Sequence, residues 1–332
     1  MNKYAELPII APIYSTYHYQ GDASAVINDN PSIRNWFLNN NLILIWNRSY
    51  LNCTSAPKIS VSCSTWRENP YLDKKWIDAL YLKGHVHAVI RNLIDAGYYV
   101  HFEGLDDYYI KGKSWYKEKH FYHDGLICGY NQEDKTYCMY AYDSKWIYQT
   151  FWTPQSCFEA GRKAILRNGG YIGICGIKPL PGKVEFCAKT ALKTIAEYLD
   201  SSIEKYPLTG EGFIRGIVVQ EYVAKYIGEM IDGFIPYEKM DRRIFHQIWE
   251  QKKLMLESIQ CIEQALGFPA EVSRQYAPLV KEADAMRMLY ASHYMKRRDS
   301  VLPVIRNKML FINSEEEKLL DKLIKNGSVK YK

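Results

Sequence analysis

The chain has 332 residues, of which 47% are hydrophobic and 24% charged, and its formal net charge is +6. This composition is typical of a folded globular protein, and the length suits one large domain or two moderate ones. The eight cysteines are scattered without Cys-x-x-Cys spacing, and basic residues cluster only at residues 296–298 and in the C-terminal tail. These features argue against a disulfide framework, a zinc site and a nucleic-acid partner.

No stretch of about 18 apolar residues occurs, so we expect no membrane-spanning segment and no membrane partner. The first residues lack the apolar core of a signal peptide. We therefore expect a cytoplasmic protein whose thiols are reduced.

Residues 1–178 are rich in aromatic side chains and are predicted to form short strands and helices joined by turns. Asp22 is the predicted N-cap of a helix over residues 22–27, and Pro31 opens a second helix. The later predicted elements are a strand over 59–64, a helix over 72–97, a strand over 98–102, a β-hairpin over 123–143, a helix over 154–168 and a strand over 171–177. Helices followed by hairpins indicate an α+β domain.

The Pro/Gly segment at residues 179–182 marks a change to amphipathic patterning and a domain boundary. The sequence therefore predicts a helical domain over residues 179–332. The predicted helices cover 184–206, 241–266, 271–298 as one helix or two, and 318–326. Ser314 and Glu317 are predicted to form a capping box that opens the last helix, and Gly327 is its predicted C-cap. Apolar stripes do not distinguish an internal core from a dimer interface, so the oligomeric state is left open.

His123 and Asp143 lie at the open end of the predicted hairpin. If Tyr130 pairs with Thr136, then His123 is directly opposite Asp143, with Cβ atoms roughly 5 Å apart. A carboxylate at that distance can hold an imidazole in one tautomer and stabilise its cation. We predict His123 as a general base oriented by Asp143, and a cross-strand charge pair without chemistry is the alternative.

Two motifs carry a resemblance to a known family. Residues 22–25, Asp-Ala-Ser-Ala, resemble the Asp-Cys-Gly-x-Ala signature that begins the nucleophile helix of bacteriocin-processing (C39-like) cysteine peptidases. The hairpin from His123 to Asp143, with Gly129-Tyr130 between them, resembles the His, Gly-Tyr and Asp pattern of the same enzymes. The whole chain is similar to the family named for the N-terminal domain of the butirosin biosynthesis protein BtrH, and to the amide-forming enzymes of the closthioamide-synthetase type.

The resemblance implies a papain-like domain over residues 1–178 and an acyltransferase activity. Its expected reaction moves an acyl group from a carrier-protein thioester to a small amine or diamine, which forms an amide in secondary metabolism. No cofactor is implied beyond the phosphopantetheine arm that presents the substrate. The positive charge and the helical domain would help to bind an acidic carrier protein. The alternatives are a cysteine peptidase or thioesterase-type hydrolase and a non-catalytic binding protein.

Ala23 stands where the resemblance requires the cysteine nucleophile. Three interpretations remain open. Ala23 replaces a native cysteine; or the nucleophile is elsewhere, with Cys63, Ser24 and Ser15 as candidates; or no nucleophile is used and His123 acts directly as a base on the amine. The third is chemically reasonable, because a thioester is already activated and its aminolysis needs mainly positioning and proton removal.

Further polar residues are candidate substrate contacts. Gln20, with Asp22, is the predicted oxyanion or substrate contact, since a glutamine upstream of the nucleophile has that role in papain-like enzymes; a loop amide that caps the helix is the alternative. Asp106 and Asp107 follow a predicted strand beside tyrosines and could hold an ammonium group, or could form a solvated turn. His120 and His123 lack a recognisable set of companion ligands, so no metal is expected.

Overall fold

A computed structural model describes residues 2–26, 30–47, 59–62, 65–78, 82, 85–170, 173–201 and 213–330. The chain divides into two compact units. The first unit contains Met1–Arg34 and Ser64–Lys183, and the second contains Asn35–Cys63 and Val184–Lys332. The boundary that the sequence predicts after residue 178 lies close to the division after Lys183. The sequence did not predict that Asn35–Cys63 belongs to the second unit.

The first unit is built on an antiparallel sheet. Its elements are β1 (Tyr4–Glu6), α1 (His18–Ala25), the beginning of α2 (Pro31–Asn40), β4 (Leu72–Ile77), α3 (Val86–Asp95), β5 (Tyr99–Asp106), β6 (Tyr122–Asn131), β7 (Thr136–Tyr142), β8 (Tyr148–Pro154), α4 (Gln155–Arg167) and β9 (Ile174–Pro179). The strand order is β4-β9-β5-β6-β7-β8, and β1 pairs with the end of β6. The helices α3 and α4 supply apolar side chains to a core that they share with β5, β6 and β7.

The hairpin of β6 and β7 is present, but its register differs from the prediction at the turn. Thr136 pairs with Asn131 rather than with Tyr130. A register shift between Ile127 and Gly129 then restores the predicted pairing, so that Leu126 faces Tyr140. The irregularity adds one residue to β6, which a strict two-residue period in the sequence cannot reveal.

The helix predicted over residues 72–97 is wrong in its first part. Leu72–Ile77 forms the edge strand β4, which pairs antiparallel with β9 from Leu72 opposite Pro179 to Ile77 opposite Ile174. The described helix α3 begins at Val86. The apolar stripe that indicated a helix lies entirely in this second part, so its extension back to residue 72 had no periodic support.

The second unit combines a helical bundle with a small sheet. Its helices are the remainder of α2, α5 (Ala188–Asp200), α6 (Val219–Ile231), α7 (Ile244–Leu266), α8 (Glu271–Lys296) and α9 (Leu302–Lys330). The strands β2 (Leu44–Asn47), β3 (Ile59–Val61) and β10 (Phe213–Arg215) form an antiparallel sheet in the order β10-β2-β3. The mixture of helices and antiparallel sheets with a helical C-terminal part is therefore confirmed.

The predicted capping box in the last helix is wrong. The helix α9 runs without interruption from Leu302 to Lys330, so Ser314, Glu317 and Gly327 all lie inside it. The continuous helix places Glu316 in the bundle core, where it is completely buried. Among the helices described, none has the combined length and apolar character that crossing a membrane requires.

Candidate functional site

The helix α1 begins earlier than the sequence predicts. Tyr17 has extended backbone angles and is the N-cap, and His18 is the first helical residue. Asp22 therefore lies one turn inside the helix and is not its N-cap. Ala23 follows it and is completely buried. A thiol at residue 23 would be away from the unpaired N–H groups of the first turn that activate a nucleophile, so the geometry does not support residue 23 as a papain-type nucleophile position.

The side chains of His18 and Asp22 are one helical turn apart, so they project from the same side of α1. Asp22 is buried, and both of its carboxylate oxygens have partners. Its Oδ2 lies 2.7 Å from Nδ1 of His101 on β5, and its Oδ1 accepts a hydrogen bond of 2.7 Å from the hydroxyl of Tyr148 on β8. Asp22 therefore ties α1 to two strands of the sheet and is not placed to contact a substrate.

His123 on β6 has a carboxylate partner, and that partner is Asp107. The His123 Nδ1 lies 3.3 Å from Asp107 Oδ2. The other oxygen of Asp107 forms an ion pair with Lys113, whose Nζ is 2.8 Å away. The side chains of Asp107 and Lys113 are both 1% exposed, whereas that of His123 is 29% exposed. The arrangement is a buried orienting pair behind an accessible imidazole.

The prediction that Asp143 orients His123 is not supported by the structure. The carboxylate of Asp143 accepts hydrogen bonds from the backbone N–H groups of Lys145 and Ile147 and from the amide of Gln149. It thus closes the turn between β7 and β8. Burial raises the pKa of Asp143, but these hydrogen bonds outweigh burial and lower it. The competing local donors explain why register alone misidentified this residue.

Asp107 is held as a carboxylate despite its burial. Burial raises its pKa, but the Lys113 cation and the contact with His123 lower it below its ordinary value. A carboxylate beside Nδ1 favours the neutral tautomer that carries its proton on that nitrogen. The lone pair of His123 Nε2 is then the basic site of the ring.

His123 is neutral at physiological pH. Burial lowers its pKa to about 4, and the electrostatic influence of His18 and Lys113 acts in the same direction, against that of Asp107. The rings of His18 and His123 stack with their centroids 4.0 Å apart. A protonated His123 would therefore meet a second imidazole at close range, and the base form is favoured.

His18 is completely buried, and both of its ring nitrogens are engaged. Nδ1 lies 2.6 Å from the backbone oxygen of Asp124 and 3.1 Å from the carboxylate Oδ1 of the same residue. Nε2 accepts a hydrogen bond of 3.4 Å from the backbone N–H of Tyr142. This pattern is satisfied by a neutral ring with the proton on Nδ1. His18 therefore positions β6 and β7 around His123.

Asp124 is the acidic group beside His123, and its side chain is 27% exposed. Burial raises the pKa of Asp124, but the hydrogen bond from His18 and the electrostatic influence of the neighbouring histidines hold it well below its ordinary value. Asp124 is thus a carboxylate at physiological pH. The site presents a neutral base and a negative charge side by side.

Ligand atoms of His18, His123 and Asp124 lie within 4.8 Å of one another, which is close enough for a shared cation. The hydrogen bonds argue against that use. A metal ion needs a ring-nitrogen lone pair from each histidine, whereas Nε2 of His18 accepts the N–H of Tyr142 and Nδ1 faces the carbonyl of Asp124. The hydrogen bonds of His18 therefore leave it no free lone pair for a metal ion.

The remaining predicted residues have other positions. Ser24 is buried, and its hydroxyl donates to the backbone oxygens of Gln20 and Gly21 within α1. Gln20 is completely buried in the first turn of α1. The backbone oxygen of Ser15 accepts from the Tyr142 hydroxyl, and Cys63 lies outside the described residues. The hydroxyl of Ser24 is thus held within its own helix.

Asp106 is a structural residue. Its Oδ1 accepts from the backbone N–H groups of Tyr108 and Phe121, and its Oδ2 lies 2.6 Å from His120 Nδ1. The alternative of a solvated turn at Asp106 and Asp107 is wrong, because both side chains are buried. The ammonium group beside Asp107 is that of Lys113, so the structure does not support a substrate contact there. Asp106 instead fixes the loop after β5 by these hydrogen bonds, and Asp107 neutralises the buried charge of Lys113 in the same loop.

Several members of this site were not predicted from the sequence. His18 could have been found from its spacing to Asp22, which is that of neighbours on one face of a helix. Asp124 adjoins the predicted His123 in sequence, and His101 lies in a predicted strand. Lys113 lies in a loop without a periodic pattern, and no local signal indicates that its charge is buried.

Comparison with known proteins finds no matching family model and no matching curated protein sequence.

Proposed function

We propose that the first unit is an acyltransferase that forms an amide from an acyl thioester and an amine, with His123 as the general base. The observation that carries the proposal is the His123–Asp107 pair, in which an accessible neutral imidazole is oriented by a buried carboxylate. General bases of this kind accelerate proton transfers by about 10²- to 10⁴-fold. His123 is the proposed catalytic residue, and Asp107 and Lys113 are positioning residues.

The amine acceptor approaches from the side of Asp124. An aliphatic amine is largely an ammonium ion at physiological pH, since its ordinary pKa is near that of lysine, about 10.4. The partly exposed Asp124 carboxylate attracts that cation to a place next to His123. The same negative charge disfavours an anionic acceptor, so the proposed substrate is a small amine or diamine.

The reaction proceeds by direct aminolysis. The ammonium ion first gives one proton to solvent, and the free amine nitrogen then attacks the thioester carbonyl carbon. A proton that remains on that nitrogen becomes strongly acidic as the C–N bond forms. Nε2 of His123 accepts that proton, the C–S bond breaks, and the leaving thiolate takes the proton back from the imidazolium. Because the pKa of His123 is lowered to about 4, its Nε2 lone pair is unprotonated at physiological pH and open to the proton of the positively charged nitrogen in the tetrahedral intermediate.

The first turn of α1 supports a mechanism without an acyl-enzyme. We propose that the first unit is a divergent papain-like domain, in which the helix terminus that would carry the nucleophile brings His18 to the catalytic histidine instead. The imidazole of His18 is completely buried and hydrogen-bonded at both nitrogens. It cannot attack a thioester without breaking those bonds, so the acyl group passes directly from sulfur to nitrogen.

A carrier protein is the proposed donor of the acyl group. The chain carries a net charge of +6, and this positive charge would attract an acidic carrier protein. No cofactor takes part beyond the phosphopantetheine arm of that partner. The proposed reaction takes place in the cytoplasm as a step of secondary metabolism.

Amide formation by the wild type and by His123→Ala, with an acyl N-acetylcysteamine thioester and a diamine, tests the proposal. We expect the variant to lose about 10²- to 10⁴-fold in kcat. Near-normal turnover by His123→Ala would refute the role of His123. Full hydrolysis at the same rate without amine would identify a thioesterase instead, and the absence of any product would favour a binding protein.

A further inference from the structure

Three aromatic residues form a continuous surface that ends at His123. Trp115, Phe121 and Trp146 are named here the aromatic patch. The ring of Phe121 contacts His123 edge-on with centroids 5.1 Å apart, and Trp115 lies 6.4 Å from Phe121. Trp146 contacts Trp115 edge-on at 5.4 Å.

The aromatic patch is accessible to a ligand. Phe121 is 40% exposed and Trp146 is 39% exposed, and the adjacent Ile147 is 50% exposed. Large apolar side chains that are exposed together mark interaction surfaces. Here the surface is continuous with the proposed base, so a molecule bound on it has its reacting end at His123.

Two fixed segments hold the patch. The loop after β5 carries Trp115 and Phe121, and the Asp106 carboxylate accepts the backbone N–H of Phe121. The turn after β7 carries Trp146, and the Asp143 carboxylate closes that turn. A bridge between Lys113 and Asp143 joins the two segments. The rings are therefore preorganised for binding.

Trp146 occupies a backbone conformation that rarely accommodates a large side chain. Its φ is 61°, which lies in the left-handed region that glycine adopts without strain. Lys135, in the turn between β6 and β7 at the other end of the hairpin, has a comparable φ of 51°. Both positions therefore have the same unfavourable backbone conformation, but only Trp146 belongs to the aromatic patch that ends at His123.

The charges around the patch separate the two substrates. The loop exposes several lysines and a single acidic residue, and the turn adds one more lysine: Lys111, Lys117, Glu118, Lys119 and Lys145. Lys119 Nζ lies 5.4 Å from the ring centre of Trp115. A positively charged acceptor is repelled here and attracted to Asp124. The patch is therefore left to the neutral apolar substrate.

We propose that the aromatic patch binds the acyl chain of the donor thioester and makes the protein selective for long or aromatic apolar acyl groups. The inference rests on the proposed function. Each methylene that is buried against aromatic rings strengthens binding, and a chain that extends from His123 over Phe121 and Trp115 reaches Trp146 last. Only a long acyl chain contacts Trp146, so this residue makes binding depend on chain length.

The test compares Trp146→Gly with Lys135→Gly. Both substitutions relieve a left-handed backbone, so effects on folding are matched, and thermal melting verifies that each variant is folded. The substrates are the acetyl and decanoyl thioesters of N-acetylcysteamine with a common diamine. We expect the wild type to favour decanoyl in kcat/KM, Trp146→Gly to reduce that preference about tenfold, and Lys135→Gly to retain it. An unchanged preference in Trp146→Gly would overturn the inference.

A binding measurement separates the inference from the proposed function. The probe is the decanoyl amide analogue of the thioester, in which nitrogen replaces sulfur, titrated calorimetrically into full-length His123→Ala with and without Trp146→Gly. Binding that weakens about tenfold on loss of Trp146 supports the patch, even if His123 proves dispensable for turnover. If turnover requires His123 but the affinity for the decanoyl analogue does not change on loss of Trp146, the inference about the patch is overturned and the proposed function stands.

Discussion

Replacing Glu316 by Gln should cost the second unit several kcal/mol of stability. Glu316 on α9 is the common acceptor of four donors that come from four other helices. Its Oε2 lies 2.5 Å from Nζ of Lys252 on α7, and it also accepts from Tyr198 on α5 and Gln220 on α6. Its Oε1 accepts from the hydroxyl of Tyr276 on α8. Every donor would lose its ionic partner in the variant.

The magnitude follows from the burial of Lys252. The side chains of Lys252 and Glu316 are both 0% exposed, so Glu316→Gln leaves a cation in the core without a counter-charge. Breaking a buried pair in this way costs about 3–5 kcal/mol. The amide of the new glutamine can still accept through its oxygen, and its –NH₂ can donate to the Tyr276 hydroxyl, so the loss comes from the missing negative charge.

Urea denaturation of the full chain, followed by far-UV circular dichroism, measures the loss. Glu315→Gln is the matched control, because the neighbouring Glu315 is exposed and pairs with Lys318 on the surface. Its cost should be below about 1 kcal/mol. Lys252→Met combined with Glu316→Leu should recover much of the loss, because replacing both charges removes the uncompensated ion.

The deficit should shrink as pH rises. Burial lowers the pKa of Lys252, against the opposing effect of Glu316, and removing Glu316 lowers it further. The folded variant then binds fewer protons than the unfolded chain below about pH 10.4, so its stability increases with pH in that window. A loss below about 1 kcal/mol for Glu316→Gln, or one equal to that of Glu315→Gln, would refute the reasoning about the buried charge.

Three further predictions concern the site around His123. Asp107→Asn should lower kcat at least about tenfold because the orienting carboxylate is lost, whereas Asp143→Asn should retain most activity; steady-state kinetics that reverse this order would restore Asp143 as the orienter. Because the pKa of His123 is lowered to about 4, the rate divided by the concentration of free amine should hold as pH falls through 6.5 and decline only near 4; a normalised rate that halves near pH 6.5 would contradict this. The unfolding free energy should rise with pH between those values more steeply in the wild type than in His123→Gln. Chelation by EDTA or addition of Zn²⁺ should change neither Tm nor kcat, since the ring nitrogens of His18 are already bonded; a zinc-dependent rise in Tm that His18→Gln abolishes would show a metal site.

The sequence predicted elements with strong local patterns. The hairpin of β6 and β7 and the amphipathic helices α4, α7 and α8 are present close to their predicted bounds. Their apolar periods coincide with the faces that the fold buries, so local sequence and tertiary packing agree. The start of α1 was missed because Tyr17 caps it without a side-chain hydrogen bond, and no cap residue marks it.

The site itself was only partly predictable. His123 was identified from its place on the hairpin, but its carboxylate partner was not. Asp107 reaches His123 because β5 pairs with β6, where Leu105 lies opposite His123, and this pairing between strands separated by a loop is not encoded in a local pattern. Glu316 shows the same limit: it lies between the two residues of the predicted capping box, and in the structure it is the acceptor at the centre of a buried network.

The intact mass of the protein during turnover tests the central claim most directly. The full chain is mixed with an acyl N-acetylcysteamine thioester, first without and then with a diamine, and the mass of the protein is followed beside the amount of amide. Direct aminolysis at His123 predicts amide formation without any acylated protein at either stage. An acyl adduct that accumulates without the amine and is consumed when the amine is added would contradict it and would show a covalent nucleophile.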